Sequence, residues 1–312
     1  MNKTKDFLSK FRPIILLILF SVIITTLRPN FISPNNLLNV LRQTSINAII
    51  AAGMTFVILT GGIDLSVGSI LAFSSAIGAY ILVSGYGVVA AVLVCLFIGI
   101  LAGGLNGVII TKGKAQPFIA TLATMTLLKG ATLVFTQGKP ISVLKVENLN
   151  GFRMIGAGSI FGIPTPVYIM GIVFIVCYFI LNNTKTGRYI YAIGGNEEAS
   201  KLSGLNTDIV KIKSYIINGL FAAMAGLILT SRLVSAQPNA GDGYELDAIA
   251  AVVLGGTSLA GGQGSILGTI FGALIIGILN NSLNLMNVSS YYQMVVRAIV
   301  ILLAVLLDRK NK

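Results

Sequence analysis

The chain has 312 residues, of which 55% are hydrophobic and only 10% charged, with a mean hydropathy of +0.88 and neither His nor Trp. That composition excludes an ordinary soluble domain and describes a polytopic membrane protein. The formal charge of +12 falls in short loops rather than on one amphipathic face, so it is read as a topology signal and not as a nucleic-acid surface.

A basic segment with Lys3, Lys5, Lys10 and Arg12 precedes the apolar run 13–27, which lacks a small-residue cleavage site and runs into Thr25, Thr26 and Arg28. It is therefore expected to be an uncleaved first span. Further apolar windows predict spans near 39–60, 65–83, 88–111, 118–136, 166–181, 212–231, 246–256, 266–284 and 291–307, ten in all with the first at 13–28. With both termini in the cytoplasm, Lys112, Lys114, Lys185, Arg188, Lys201, Lys211 and Lys213 lie inside together with the basic N-terminal segment and Arg309, Lys310 and Lys312. Arg28, Arg42, Lys139, Lys145, Arg153 and Arg232 are left outside, the bias that the positive-inside rule requires. Cys95 and Cys177 lie in apolar runs and read as packing residues, with no disulfide or metal spacing.

Two segments break the apolar pattern. LTGGIDLSVGSILAFSS, residues 59–75, interrupts a run with Gly61, Gly62 and Asp64, and the eighth window, only ten residues from Asp247 to Gly256, runs into GGTSLAGGQG, residues 255–264. Gly68-Ser69-Ile70-Leu71 matches Gly264-Ser265-Ile266-Leu267, each after a Gly-Gly pair, which makes a weak internal repeat. Both are expected to be broken or half-crossing helices, a device that places a solute path near the interface of two repeats. Gly99/Gly103 and Gly268/Gly272 stand at the spacing of close helix packing.

Asp64 precedes an apolar helix and is placed to accept a hydrogen bond from the N–H of Ser66 or Val67. Lys129 and Arg297 are open to a pathway role, but each lies near a span end, where it can snorkel, and both read as structural. The remaining polar residues within spans are neutral, and Asn47, Thr60, Ser66, Asn106, Asn218 and Asn280, together with Asp64, form the candidate solute path. Such a lining suits an uncharged, hydroxyl-rich solute rather than a proton- or sodium-coupled route, which needs buried titratable groups. No Walker A sequence, nucleophile elbow, paired-carboxylate site or metal motif occurs, so neither a cofactor nor an intramembrane enzyme is expected, and any nucleotide-driven motor has to be another subunit.

Residues 183–212 form a long polar loop. Asn196 can cap a short helix whose first turn carries Glu197 and Glu198, with Gly204 as its stop and Ala199 and Leu202 on one face. Such a face fits a groove in a partner, or alternatively rests on lipid headgroups.

GGNEEASKLSGLNTD, GGIDLSVGSILA and LDAIAAVVLGGTSLAGGQGSILGT, in that order over about residues 31–308, resemble the membrane permeases of bacterial ATP-binding-cassette importers for ribose and related sugars. The resemblance implies an all-α, polytopic inner-membrane protein with ten spans, a single transmembrane permease domain over 1–312. It further implies a permease homodimer, a cytoplasmic ATP-binding subunit and an extracytoplasmic sugar-binding protein that docks on the outer loops near 31–43, 138–164 and 232–245. The family's coupling motif falls on Gly195, Asn196, Ala199, Ser200, Ser203, Gly204 and Leu205, with Ser200 in place of Ala and Leu205 in place of Ile. Similar permeases move galactose, xylose, allose or a furanosyl signalling molecule, and more distant ones branched-chain amino acids; GGIDLSVGS favours the sugar branch. An ion-coupled secondary sugar carrier is the rival class.

Overall fold

The computed structural model describes residues 3–309; Lys310 and Lys312 of the basic C-terminal segment lie outside them. Each of the ten apolar windows is a helix: α1 (Lys3–Leu27), α2 (Pro34–Leu59), α3 (Val67–Val83), α4 (Gly87–Thr111), α5 (Pro117–Thr136), α7 (Thr165–Asn183), α10 (Thr207–Leu233), α11 (Tyr244–Leu254), α12 (Ile266–Leu285) and α13 (Ser290–Arg309). Among them lie shorter helices, α6 (Leu149–Gly156), α8 (Lys185–Gly195) and α9 (Glu197–Leu202), and a 3-10 turn at Pro29–Ile32. Four two-residue strands are the only β-structure among the described residues. β1 (Ile141–Ser142) pairs antiparallel with β4 (Ser235–Ala236), and β2 (Ser159–Ile160) with β3 (Ile163–Pro164).

Hydrocarbon leaves no water to satisfy backbone groups, so helices are the form these apolar runs must take. Their starts are built in two ways. Proline opens α2, α5 and α7, where the missing N–H costs nothing. Side-chain oxygens of Thr184, Asn196, Asn206 and Ser265 accept from the backbone N–H groups of Gly187, Ala199, Ile209 and Gly268 and so open α8, α9, α10 and α12.

Six helices (α2, α4, α5, α7, α10 and α12) are long and apolar enough to cross a membrane, and 13–27, α3 and 290–303 form shorter apolar helices. α11 has 11 residues, about 16 Å at 1.5 Å per residue, against a hydrocarbon thickness of about 30 Å. α4 shows the two environments. Val89, Leu93, Phe97, Leu101 and Leu105 form an exposed apolar stripe at i, i+4 spacing, suited to a lipid environment, while Ala91, Cys95, Gly99, Gly103 and Asn106 are buried on the opposite face. α2 lies at the centre, buried from Thr44 to Leu59 except at half-buried Asn47, and packs on α7, α10, α11 and α12.

Glycine sets the closest helix approaches. α4 runs antiparallel to α10, with Gly99 and Gly103 against Gly219 and Gly107 against Ile212; a Cβ at Gly219 would lie 3.0 Å from the Gly103 Cα and meet the Gly99 carbonyl head-on. α11 and α12 pack the same way, Gly268 on Gly255 and Gly272 on Ala251. At the end of α10 remote from residue 206, Ser231 Oγ donates to the Phe152 carbonyl at 2.6 Å and accepts from Gly156 N–H at 2.8 Å, which ties α6 to that end.

Gly103→Val puts a branched side chain into the backbone of Tyr215 and Gly219 and is expected to destabilise the bundle by about 1–3 kcal/mol. Thermal melting of purified protein checks this, with Gly130→Ala, where a Cβ meets nothing within 4 Å, as the tolerated control.

Candidate functional site

The polar loop of 183–212 is mostly helical. α8 was not legible as a separate helix, and α10 begins at Thr207, five residues earlier than its hydropathy window. Between them Asn196 is extended, and its Oδ1 accepts from Ala199 N–H at 2.9 Å, opening α9. The Ser203 N–H returns to the Ala199 carbonyl, and Gly204 follows at φ +82°, a left-handed stop. Glu197 pairs within α9 with Lys201 at 2.8 Å and ties the helix to α10 through Lys211. Ser200 turns inward, 6% exposed, and donates to the Asn196 carbonyl at 2.8 Å. Glu198, Ala199, Ser203 and Gly204 are exposed, Leu205 is half-buried, and Leu202 is 90% exposed. Leu202 thus stands outside this chain's core, beside the exposed Ala199.

Immediately before α9, the tail of α8 lies on the two glycine-broken segments. Gly262 N–H donates to the Leu59 carbonyl at 3.0 Å, which joins residues 255–265 to the end of α2. Gly194 packs against that same carbonyl and against Gly262, leaving no room for a side chain. Gly261 (φ +88°) and Gly262 (φ +71°) supply the left-handed backbone, with hypothetical Cβ atoms 2.8 Å from Gly61 N and 2.6 Å from Gly195 N. Tyr191 Oη also donates to the Gly264 carbonyl at 3.1 Å. The two segments that share a sequence pattern thus meet each other, and both meet the helix that leads into α9.

The candidate path residues separate into groups. Asp64, Ser66, Asn106 and Asn218 form one buried hydrogen-bonded network with no exposure, in which Asn106 Oδ1 and Asn218 Oδ1 are left without a partner. Asp64 accepts from Ser66 N–H (2.9 Å), Ser66 Oγ (2.6 Å) and Asn218 Nδ2 (2.9 Å), and Asn106 Nδ2 donates to Ser66 Oγ at 2.8 Å. The segment before α3 is thereby pinned to α4 and α10, and a buried carboxylate gains the partners it needs. Thr60 stands apart, its hydroxyl donating to the Val57 carbonyl at 2.8 Å. Asn47 and Asn280 lie elsewhere, beside Asp247 of α11.

A family model described as "Branched-chain amino acid transport system / permease component" matches residues 36–305. The chain belongs to that permease family. The permease is 55% identical over 309 residues to the ribose import permease RbsC of Escherichia coli strain K12, covering 99% of this chain and 96% of the relative. It is 56% identical over 304 residues to RbsC of Bacillus subtilis strain 168 (97% and 94% covered) and 37% identical over 305 residues to the D-allose transport system permease AlsC of Escherichia coli K12 (97% and 92%). No solved structure matches it.

Local sequence did not disclose that two charged residues of the permease lie together. Asp247 looked like the edge of an apolar window and Arg297 like a snorkelling side chain, yet Arg297 Nη1 stands 3.8 Å from Asp247 Oδ2. The available signal was a carboxylate and a guanidinium in two separate spans of a chain with few charges. Lys129, likewise read as snorkelling, pairs with Asp242 at 2.9 Å.

Burial pushes the Glu197 carboxyl up, but hydrogen bonds and charge from Lys201 and Lys211 outweigh it and hold the group below its ordinary 4.5. A carboxyl that titrates lower in the folded chain stabilises it above the unfolded value and loses that contribution as pH falls through the folded one. Wild type is therefore expected to melt higher than Glu197→Gln at neutral pH, the gap closing as the pH drops below 4.5. Melting curves of both proteins across pH check this.

Proposed function

We propose that this permease is the membrane subunit of an ATP-driven importer that carries ribose into the cytoplasm by alternating access. Near-full-length identity of 55–56% to ribose import permeases of Escherichia coli and Bacillus subtilis carries the reading, since the allose permease stands at 37%. In this reading ten segments cross with both termini in the cytoplasm, α11 entering only part-way. Two copies of the permease enclose the path, a cytoplasmic ATP-binding subunit seats α9, and an extracytoplasmic sugar-binding protein delivers the solute to the opposite face.

The geometry supports a separate motor. α9 offers Ala199 and Leu202 to a partner while Glu197, through Lys211, holds it to α10. Its lead-in backbone at Gly194 bears on Leu59 and Gly262, so a displacement of α9 is delivered to the ends of α2 and of the 255–265 segment without a flexible linker between. Because the binding protein captures the sugar first, the membrane path need not bind it tightly, and Asn47 and Asn280 can contribute amide contacts to it.

A Cβ at Gly195 meets nothing within 4 Å, so Gly195→Glu leaves the permease's own packing intact while placing a charge beside the α9 patch. In cells lacking the gene, wild type is expected to restore [14C]ribose accumulation and Gly195→Glu to abolish it at equal membrane abundance. Full uptake by the variant would remove the docking role of α9; no ribose uptake by wild type would remove ribose.

A further inference from the structure

Of the polar groups at membrane depth, the Asp64 network is sealed, its four members having 0% exposure. A second set is not. Asn47, about halfway along α2, donates from Nδ2 to Asp247 Oδ2 at 3.2 Å. Asn280 of α12 lies beside the same carboxylate, and its own Oδ1 has no partner. Arg297 of α13 reaches toward Asp247 but stops at 3.8 Å, close enough to attract and too far to hydrogen-bond, and its Nε is also without a partner. One turn away, Thr44 Oγ1, packed on Gly277, is a further buried hydroxyl with no acceptor or donor.

Five side chains from four helices thus converge, three of them with a buried polar atom left unpartnered, where buried polar groups ordinarily satisfy one another. Unlike the Asp64 network the set has an accessible edge: Asn47 and Asn280 are half-buried and the Arg297 side chain is 32% exposed, while the Asp247 side chain (3% exposed) and the unpartnered atoms lie beneath that edge. Its chemistry is mixed and close to neutral. The carboxylate accepts from hydroxyls, the guanidinium and amides donate to them, and each sugar hydroxyl can do both.

We propose that Asp247, Arg297, Asn47 and Asn280 form a hydroxyl-binding station for an uncharged polyhydroxylated solute on its way through the membrane, with Thr44 at its margin. The inference rests on the ribose-import reading and names the residues that touch the sugar. A neutral sugar lets the Asp247–Arg297 pair keep its charge balance, and hydroxyls inserted between the two supply the hydrogen bonds that the 3.8 Å gap withholds. Asp247 sits in the first turn of α11, whose far end leads directly into residues 255–265, so the station and the junction with α8 belong to one short element.

The test uses the complete transporter in proteoliposomes, permease with its ATP-binding subunit and sugar-binding protein, and reads [14C]ribose delivered per ATP hydrolysed. Asp247→Ala is expected to lower that ratio on the order of ten-fold or more, the cost of losing a charged hydrogen-bonding partner. Asn280→Ala should move it in the same direction by less. In both, stimulation of ATP hydrolysis by the loaded binding protein persists, because α9 and its junction are untouched. An unchanged ratio in Asp247→Ala overturns the station, as does a parallel fall of hydrolysis and uptake. Recovery of the ratio when Asp247→Arg is combined with Arg297→Asp also overturns it, since only an internal ion pair is indifferent to which helix bears which charge. Should wild type carry another sugar and not ribose, the ribose reading fails by itself, and the same ratio measured with that sugar judges the station.

Discussion

Bare backbone meeting bare backbone at Leu59, Gly194 and Gly262 is the constraint on which the rest of the molecule depends. A hydrogen bond of 3.0 Å joins the Gly262 N–H to the Leu59 carbonyl, and Gly194 closes on both with no space for a side chain. Contacts between main chains are stiffer than contacts through rotatable side chains, so three segments far apart in sequence are fixed to one another. One is the end of the central helix α2, one the connection from α11 to α12, and one the helix that leads into α9. Interrupted helices are tolerated at membrane depth only where other protein satisfies the broken backbone, and here each broken segment does this for the other.

The same economy of side-chain volume recurs up the bundle. Gly99 and Gly103 bring α4 onto α10, and Gly268 and Gly272 bring α12 onto α11. Between lipid and lipid-like side chains the hydrophobic effect supplies little net drive, so packing at such close range and a few polar ties have to hold the helices together. Asp64 is the strongest tie, joining the start of α3 to α10 directly and to α4 through Ser66. A bundle clamped in this way suits movement in blocks, which the proposed alternating access requires.

How much of this the sequence disclosed follows from what each signal measures. Hydropathy located ten apolar helical segments, the short α11 among them, because burial in hydrocarbon is a property of composition. It missed α8 and α6, which are short and polar, and it started α10 five residues late because the first turns of that helix carry Asp208, Lys211 and Lys213. The α9 cap and stop were legible because Asn196 and Gly204 act within a few residues of themselves. Asn106 and Asn218 were marked as polar residues in spans, but that they share Asp64 while Asn47 and Asn280 share Asp247 is a matter of tertiary contact. Nothing in local sequence distinguishes the sealed set from the reachable one.

The central claim is that α9 and the 255–265 segment move as one body when the partner ATPase binds nucleotide. Spin labels at exposed Glu198 and Ala260, with a third site at exposed Tyr86 in the turn between α3 and α4, would measure it in the assembled transporter, the buried Cys95 and Cys177 leaving a quiet background. The account predicts that the Glu198–Ala260 distance stays constant between nucleotide-free and ATP-bound states while the Ala260–Tyr86 distance changes. A Glu198 label that shifts away from a stationary Ala260 would contradict it.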